Sequence, residues 1–273
     1  MPEFTFQDEI ALSPIHLPRA ALCFAREITY PDLDVAAYLE RLEALAAQAR
    51  AQLSPTHSLA EQAEALSDFL FIQQRLRGNS QEYNDPRNSY LNEVLERGLG
   101  IPISLSVIYI TLARACGLPA QGIGLPGHFI VSVQDAQGQV YIDPFQGGAR
   151  LSRADCFQLV KDSTGYEGSF QADWLQPASP KAILTRMLNN LRNIYLHQED
   201  WSHALRVVER LRLLQPQLPD LQRDLGVIYH RQGSLRLAAQ HYEAYLRLAP
   251  QAPDAEAVAS YLRLAAGELA KRN

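Results

Sequence analysis

His128 and Asp143 are the two residues whose types and spacing most directly suggest chemistry. They stand fifteen residues apart, each in an apolar run, and the segment 135–138 between them is typical of a hairpin turn. Because such a turn sets two strands side by side, the imidazole and the carboxylate are predicted to meet. His128 would then act as a general base whose tautomer Asp143 fixes. In the alternative interpretation, His128 only begins a strand after Pro126 and Gly127, and Asp143 only opens an Asp-Pro turn.

A nucleophile for this pair is expected at the start of an apolar helix predicted over about 103–116, where free backbone N–H groups stabilise a thiolate or an oxyanion. No cysteine stands there. Cys116 lies at the opposite end of this helix, about 20 Å away at 1.5 Å per residue, and is predicted to be a core residue. Ser104 and Ser106 are the hydroxyl residues of the first turn. Ser104 is either a nucleophile or a helix cap.

Three polar residues just upstream, Asn88, Asn92 and Glu93, are predicted to line a pocket, although capping and turn formation explain Asn88 equally well. The three cysteines of the chain lack metal-ligand spacing, and no metal site is predicted. The run Gly122-Ile123-Gly124 lacks the third glycine and the helix of a dinucleotide-binding loop. We therefore expect no cofactor.

The elements that position these residues indicate an α+β domain. Residues 10–77 have helical periodicity, including a capping box at Ser58 and Glu61 that starts a helix. The inward residues predicted for that helix are Leu66, Phe69, Leu70, Ile72 and Leu76. Strands are predicted at 121–125, 128–133 and 139–143, forming an antiparallel sheet against the apolar helix. The first domain is predicted to span 1–161.

The last third of the chain repeats with a period of 34 residues. This shift superposes Leu191 on Leu225, Tyr195 on Tyr229, Ala204 on Ala238 and Pro216 on Pro250. An early Leu and Tyr, a small residue in the second helix and a closing Pro are typical of the tetratricopeptide repeat. We predict an all-α repeat domain with a capping helix over 178–273, joined to the first domain by a linker at 162–177.

Composition limits the possible functions. The net charge is −5, and the 25 basic residues are scattered instead of forming the tract that nucleic-acid binding requires. No apolar stretch reaches the roughly 18–20 residues that cross a bilayer, and the N-terminus lacks the pattern of a secretory signal. Three cysteines, an odd number, fit reduced thiols. These features predict a cytoplasmic protein that binds neither nucleic acid nor membranes.

Four motifs in order resemble a known family. They are DPRNSYLNEVL at 85–95, GIPISLS at 100–106, GLPGHF at 124–129 and DPFQGG at 143–148. Together with the repeats behind them, they are similar to a bacterial family with a transglutaminase-like domain followed by tetratricopeptide repeats, described as regulators of sirC expression. The resemblance implies a papain-like α+β core in which His128 and Asp143 match two members of the transglutaminase triad.

The same resemblance places the family cysteine near Pro102, so the thiol is missing and Ser104 is the closest side chain that could replace it. We therefore expect a pseudoenzyme, a protein-binding or regulatory factor that contacts a protein partner through residues 180–270. The alternative is an amide hydrolase or acyltransferase with a Ser104, His128 and Asp143 triad. A third interpretation is a pure scaffold with a vestigial pocket. The oligomeric state stays open.

Overall fold

The computed structural model of the chain describes residues 4–54, 56–136 and 138–272. The chain divides into two units, Met1–Met187 and Leu188–Asn273. The first unit combines helices with small sheets, and the described part of the second contains helices and turns but no strand. This arrangement confirms the predicted α+β domain followed by an all-α region.

In the described part of the chain, four α-helices precede residue 68. They are α1 (Phe6–Ala11), α2 (Leu17–Ile28), α3 (Val35–Arg50) and α4 (Leu59–Ser67). The predicted capping box is present, because Ser58 Oγ accepts from the Glu61 amide and the Glu61 carboxylate accepts from the Ser58 amide. A π-helical turn over Asp68–Gln73 continues α4. The prediction that Ile72 points inward is wrong, since this residue is 68% exposed. A π-helical turn is wider than an α-helical turn, so its side chains do not point in the directions that a period of 3.6 residues predicts.

The apolar helix lies at the centre of the first unit. It is α6 (Pro102–Ala115), and it follows α5 (Leu91–Arg97) and a short parallel pair, β1 (Arg77–Gly78) and β2 (Leu99–Gly100). Eleven of the fourteen residues of α6 are buried, so its burial on nearly every face confirms the prediction from its composition. Pro102 opens α6 at a position where its missing N–H costs nothing.

An antiparallel sheet of four strands completes the first unit. Its strands are β3 (Ala120–Ile123), β4 (Ile130–Gln134), β5 (Gln139–Asp143) and β6 (Ala149–Leu151), in that order. Val131 pairs with Ile142 and Gln134 with Gln139, as a hairpin requires. β4 corresponds to the strand predicted at 128–133, but it begins at Ile130. His128 therefore lies in the loop before β4. Gln137, part of the predicted turn, lies outside the described residues.

The segment 162–177, predicted as a linker, packs against the sheet of the first unit. It begins with the last three residues of α7 (Arg153–Thr164) and contains a 3₁₀ turn at Ala172–Leu175. Tyr166, Phe170 and Trp174 contact the buried cluster around Ile123 and Leu125. The division between the two units falls between Met187 and Leu188, inside α8 (Pro180–His197). The proposed limits 1–161 and 178–273 stay a prediction.

The second unit consists of helices joined by short turns. They are the end of α8, then α9 (Trp201–Leu214), α10 (Pro219–Arg231), α11 (Leu235–Leu248) and α12 (Ala255–Arg272). Ala204 and Ala238, the small residues of the repeat pattern, are completely buried. Gly226 lies so close to Tyr242 that a Cβ atom there would come within 2.4 Å of the ring. Small residues therefore let the helices of the repeat approach closely.

Candidate functional site

The imidazole of His128 and the carboxylate of Asp143 are in contact. His128 Nε2 lies 2.9 Å from Asp143 Oδ2. Asp143 is fully buried and His128 is 7% exposed. Asp143 ends β5, and His128 stands two residues before β4, its neighbour in the sheet, so the hairpin brings the two side chains together.

Asp143 also has a structural role through its second oxygen. Oδ1 accepts from the backbone amide of Phe145 at 2.9 Å and from that of Gln146 at 3.4 Å, which caps the 3₁₀ turn Pro144–Gln146. The two sequence interpretations of this residue are therefore compatible. One oxygen holds the Asp-Pro turn while the other orients the imidazole.

The position of His128 is set by its loop and by an aromatic neighbour. Gly127 adopts a φ of 72°, and a Cβ atom there would lie 2.6 Å from Ser163. The His128 amide donates to the carbonyl oxygen of Leu125 at 3.2 Å. Its ring lies edge-to-face against Phe145, with 6.1 Å between the centroids. Nδ1 has no hydrogen-bond partner among the described residues, so one nitrogen of the oriented ring is unoccupied.

Ser104 is a buried helix-start residue whose hydroxyl is fully engaged. Its Oγ accepts from the Ile101 amide at 3.1 Å and donates to the carbonyl oxygen of Asn88 at 2.6 Å. A hydroxyl has one hydrogen, and the short contact to Asn88 uses it. In the described part of the chain Ser104 makes no hydrogen bond to His128.

The residues predicted to line a pocket differ in their environment. Asn88 is fully buried, donates to the Glu82 carbonyl at 2.7 Å and accepts from Asn79 at 3.1 Å, so it organises the loop before α5. Asn92 is 4% exposed, and its Oδ1 has no partner within the described ranges. Glu93 is half-buried on α5. None of these three side chains hydrogen-bonds to the imidazole or carboxylate of the His–Asp pair in those ranges.

The cysteines offer no activated thiol. Burial raises the pKa of Cys23 to about 11, and burial together with the charges of Asp155 and Asp143 raises the pKa of Cys156 to about 11. Cys116 caps the C-terminal end of α6, away from Pro102, and burial raises its pKa as well. Over the described residues, no group of three or more His, Cys, Asp or Glu side chains is arranged to hold a metal ion.

Two aromatic residues near the pair were missed by the sequence analysis. Phe145 packs against His128 on one side and Tyr83 on the other, with 6.0 Å between the Tyr83 and Phe145 ring centroids. Phe145 stands two residues after Asp143 in the DPFQGG motif, so the sequence could have indicated that it lies near the pair. Tyr83 is 45 residues away from His128 in sequence and has no periodic or motif context that marks it.

A model of the transglutaminase-like superfamily matches residues 36–189, which include α6, the four-stranded sheet and the His–Asp pair. The chain belongs to the transglutaminase-like superfamily. A tetratricopeptide-repeat model matches residues 191–263. The transglutaminase-like region and the repeats thus follow one another as the sequence motifs predicted.

The bacterial relatives of this transglutaminase-like protein match most of its length. A UPF0162 protein of Xylella fastidiosa is 35% identical over 90% of this chain and 88% of its own length. A UPF0162 protein of Vibrio cholerae is 28% identical over 76% of this chain and 77% of its own. F-box only protein 21 of Mus musculus is 32% identical over 48% of this chain but only 21% of its own length. The two-part architecture is therefore common to this chain and its bacterial relatives.

A concave feature also lies within the second unit. A cavity of about 470 Å³ is bordered by side chains of α10, α11 and α12, namely Val227, His230, Arg231, Tyr242, Tyr261, Leu264 and Glu268. We call it the repeat groove. Tyr261 and Leu264 are 45% and 57% exposed there. None of the described helices combines the length and apolar character that crossing a bilayer requires.

Proposed function

We propose that this chain is a non-catalytic member of the superfamily that acts as a regulatory binding factor and contacts a protein partner through its repeats. The observation that carries the proposal is the hydrogen bond from Ser104 Oγ to Asn88 O at 2.6 Å. A nucleophilic hydroxyl must give its proton to the general base. Here that proton is held by a backbone carbonyl, on a residue without solvent exposure.

The missing thiol supports the same proposal. The family resemblance places the cysteine near Pro102, and neither Pro102 nor its neighbours Ile101 and Ile103 have a nucleophilic side-chain atom. The cysteines elsewhere in the chain have raised pKa values, so little thiolate forms near neutral pH. The His–Asp pair then orients a binding site instead of activating a nucleophile.

The repeat groove supports a protein partner. Exposed apolar side chains at Tyr261 and Leu264 lie beside the charged groups of Arg231 and Glu268, a mixture typical of protein interfaces. The family that the motifs resemble is described as regulating sirC expression, and we extend a regulatory role to this chain in that general sense. The proposed location is the cytoplasm.

The alternative function is an amide hydrolase or acyltransferase that uses Ser104, His128 and Asp143. One observation favours it, namely an imidazole oriented through Nε2 whose Nδ1 has no partner among the described residues. A serine-directed fluorophosphonate probe separates the two functions. We expect no labelling of the wild-type chain beyond that of Ser104→Ala. Labelling that this substitution abolishes, in a variant that keeps its circular dichroism spectrum, would contradict the non-catalytic proposal.

The partner contact has a separate test in the full-length chain. We expect affinity capture of a partner to fall when Tyr261 and Leu264 are both replaced by alanine. Leu237→Ala is the matched control, since Leu237 is 41% exposed on α11 and does not line the repeat groove. A partner captured equally by wild type and by the groove variant would place the contact elsewhere.

A further inference from the structure

Arg186, on the part of α8 that belongs to the first unit, is a half-buried cation without a carboxylate partner in the described residues. Its Nη1 donates to Leu125 O at 3.0 Å, and its guanidinium carbon lies 5.5 Å from the centre of the Phe129 ring. Burial lowers the pKa of Arg186. By contrast, Arg97, also partly buried in this unit, pairs with Asp85 at 3.2 Å. Partly buried charges ordinarily have such partners, so Arg186 requires an explanation.

Arg186 belongs to a chain of contacts that includes His128. Leu125 O accepts from both Arg186 Nη1 and the His128 amide. The His128 ring contacts Phe145, and the Phe145 ring contacts Tyr83. Burial raises the pKa of Tyr83, and the positive charge of Arg186 opposes that shift, so the two side chains lie within electrostatic range of each other. We call these five residues (Tyr83, Leu125, His128, Phe145 and Arg186) the His128 pocket.

Three polar groups of the His128 pocket have unused hydrogen-bonding capacity in the part of the chain that the structure describes. Only Nη1 of Arg186 makes a hydrogen bond, although a guanidinium has five N–H donors. The Tyr83 hydroxyl and His128 Nδ1 have no hydrogen-bond partner there. A cation and a hydroxyl donor within electrostatic range of each other are suited to an anionic group.

The charges around the His128 pocket favour an anion with one charge. Residues 1–187 contain 14 basic and 21 acidic side chains, a net charge of −7, and the Asp143 carboxylate lies directly behind His128. A doubly charged phosphate would meet repulsion from this field with one guanidinium to offset it. The fork of a guanidinium matches the two oxygens of a carboxylate. The rings of Tyr83 and Phe145 offer an apolar surface beside it.

We infer that the His128 pocket binds a carboxylate attached to an apolar group, and that Arg186 makes the principal contact with it. This binding site goes beyond the proposed function. The binding site is possible whether or not the chain is an enzyme, and it does not involve the repeat groove. Arg186 is therefore a ligand-binding residue of the first unit.

The test compares N-benzoylglycine with its uncharged amide, N-benzoylglycinamide, by calorimetric titration of the full-length chain. We expect the acid to bind saturably and at least roughly 10-fold more tightly than the amide, since hydrogen bonds to charged groups have about this effect. This comparison uses the wild-type protein and does not depend on the folding of a variant. Absence of saturable binding of the acid, or equal affinity for acid and amide, would overturn the inference.

Variants then test the residue. Arg186→Gln should weaken binding of the acid by roughly 10-fold or more, and Arg186→Lys should weaken it less, because lysine keeps the charge but loses the fork. Arg150→Gln is the matched control, since Arg150 is exposed on β6 of the same unit, and it should leave the affinity unchanged. Full affinity in Arg186→Gln would overturn the assignment of Arg186. Inorganic phosphate that binds as tightly as the acid would overturn the carboxylate class.

Discussion

Ser104 Oγ lies 2.6 Å from the carbonyl oxygen of Asn88, and this contact joins the start of α6 to the 3₁₀ turn before α5. Asn88 in turn fixes the loop through its own side chain, which donates to the Glu82 carbonyl. The hydroxyl that sequence analysis offered as a nucleophile is thus part of the structure that shapes the region around α6. A serine with this role stabilises the fold whether or not the domain has an activity.

Replacing Ser104 by alanine should therefore destabilise the protein. The substitution leaves the Asn88 carbonyl and the Ile101 amide without this partner, at a cost of about 1–3 kcal/mol in the free energy of unfolding. Urea denaturation followed by circular dichroism measures it. Ser106→Ala is the control, because Ser106 is equally buried on α6 but its hydroxyl has no partner in the described residues. Its loss should change stability by less than about 0.5 kcal/mol. Equal losses in the two variants would contradict the assigned role.

Two glycines of the repeat unit should respond in opposite directions to alanine. Gly226 in α10 faces Tyr242 so closely that an added Cβ would overlap the ring, and we expect Gly226→Ala to cost about 1–3 kcal/mol. Gly267 in α12 has open space, so Gly267→Ala should stabilise by about 0.5–1 kcal/mol through helix propensity. Urea denaturation of each full-length variant measures both effects. A gain in both variants would show that the α10 and α11 helices can separate without penalty.

The cysteines should react with iodoacetamide in an order set by burial. At pH 8 the thiols of Cys23 and Cys156 are neutral, because burial raises both pKa values to about 11 and the thiolate forms only as the pH approaches that value. Cys116 is half-buried and should be modified first, though more slowly than free cysteine. Peptide mass spectrometry of native protein against urea-unfolded protein measures the order. Rapid modification of Cys156 in the native state would instead reveal an activated thiol.

The His–Asp pair could be predicted from sequence because both residues are tied to one short hairpin. A tight turn fixes the register of its strands, so a separation of fifteen residues translates directly into proximity. The burial of α6 could also be predicted from local sequence, since a helix that is apolar on nearly all faces has to be buried.

The residues that complete the site have no such local signal. Tyr83 and Arg186 reach His128 only through contacts across the fold, with Leu125 O and Phe145 between them. The acceptor for Ser104 comes from sixteen residues earlier, so the choice between cap and nucleophile could not be made from the first turn of α6 alone. Ile72 was misplaced because a single π-helical turn changes the phase of every residue in it.

The tautomer of His128 should depend on Asp143 in a way that tests their geometry. In the wild type, an ionised Asp143 accepts from His128, so the neutral ring should carry its proton on Nε2. In Asp143→Asn, the side-chain oxygen should stay at the Oδ1 position, because the Phe145 amide donates there. The new NH₂ group would then face Nε2 as a donor, and the ring proton should move to Nδ1.

Nitrogen-15 NMR of selectively labelled histidine distinguishes these tautomers at a pH where the ring is neutral. His57, which is exposed, serves as the internal control and should be unchanged by the substitution. The variant should also lose about 1–3 kcal/mol of stability, since a charge-assisted hydrogen bond becomes a neutral one. A His128 ring with the same tautomer in both proteins would mean that the carboxylate at 143 does not orient it. The pair would then be a packing contact, and Asp143 would serve only to hold the Asp-Pro turn.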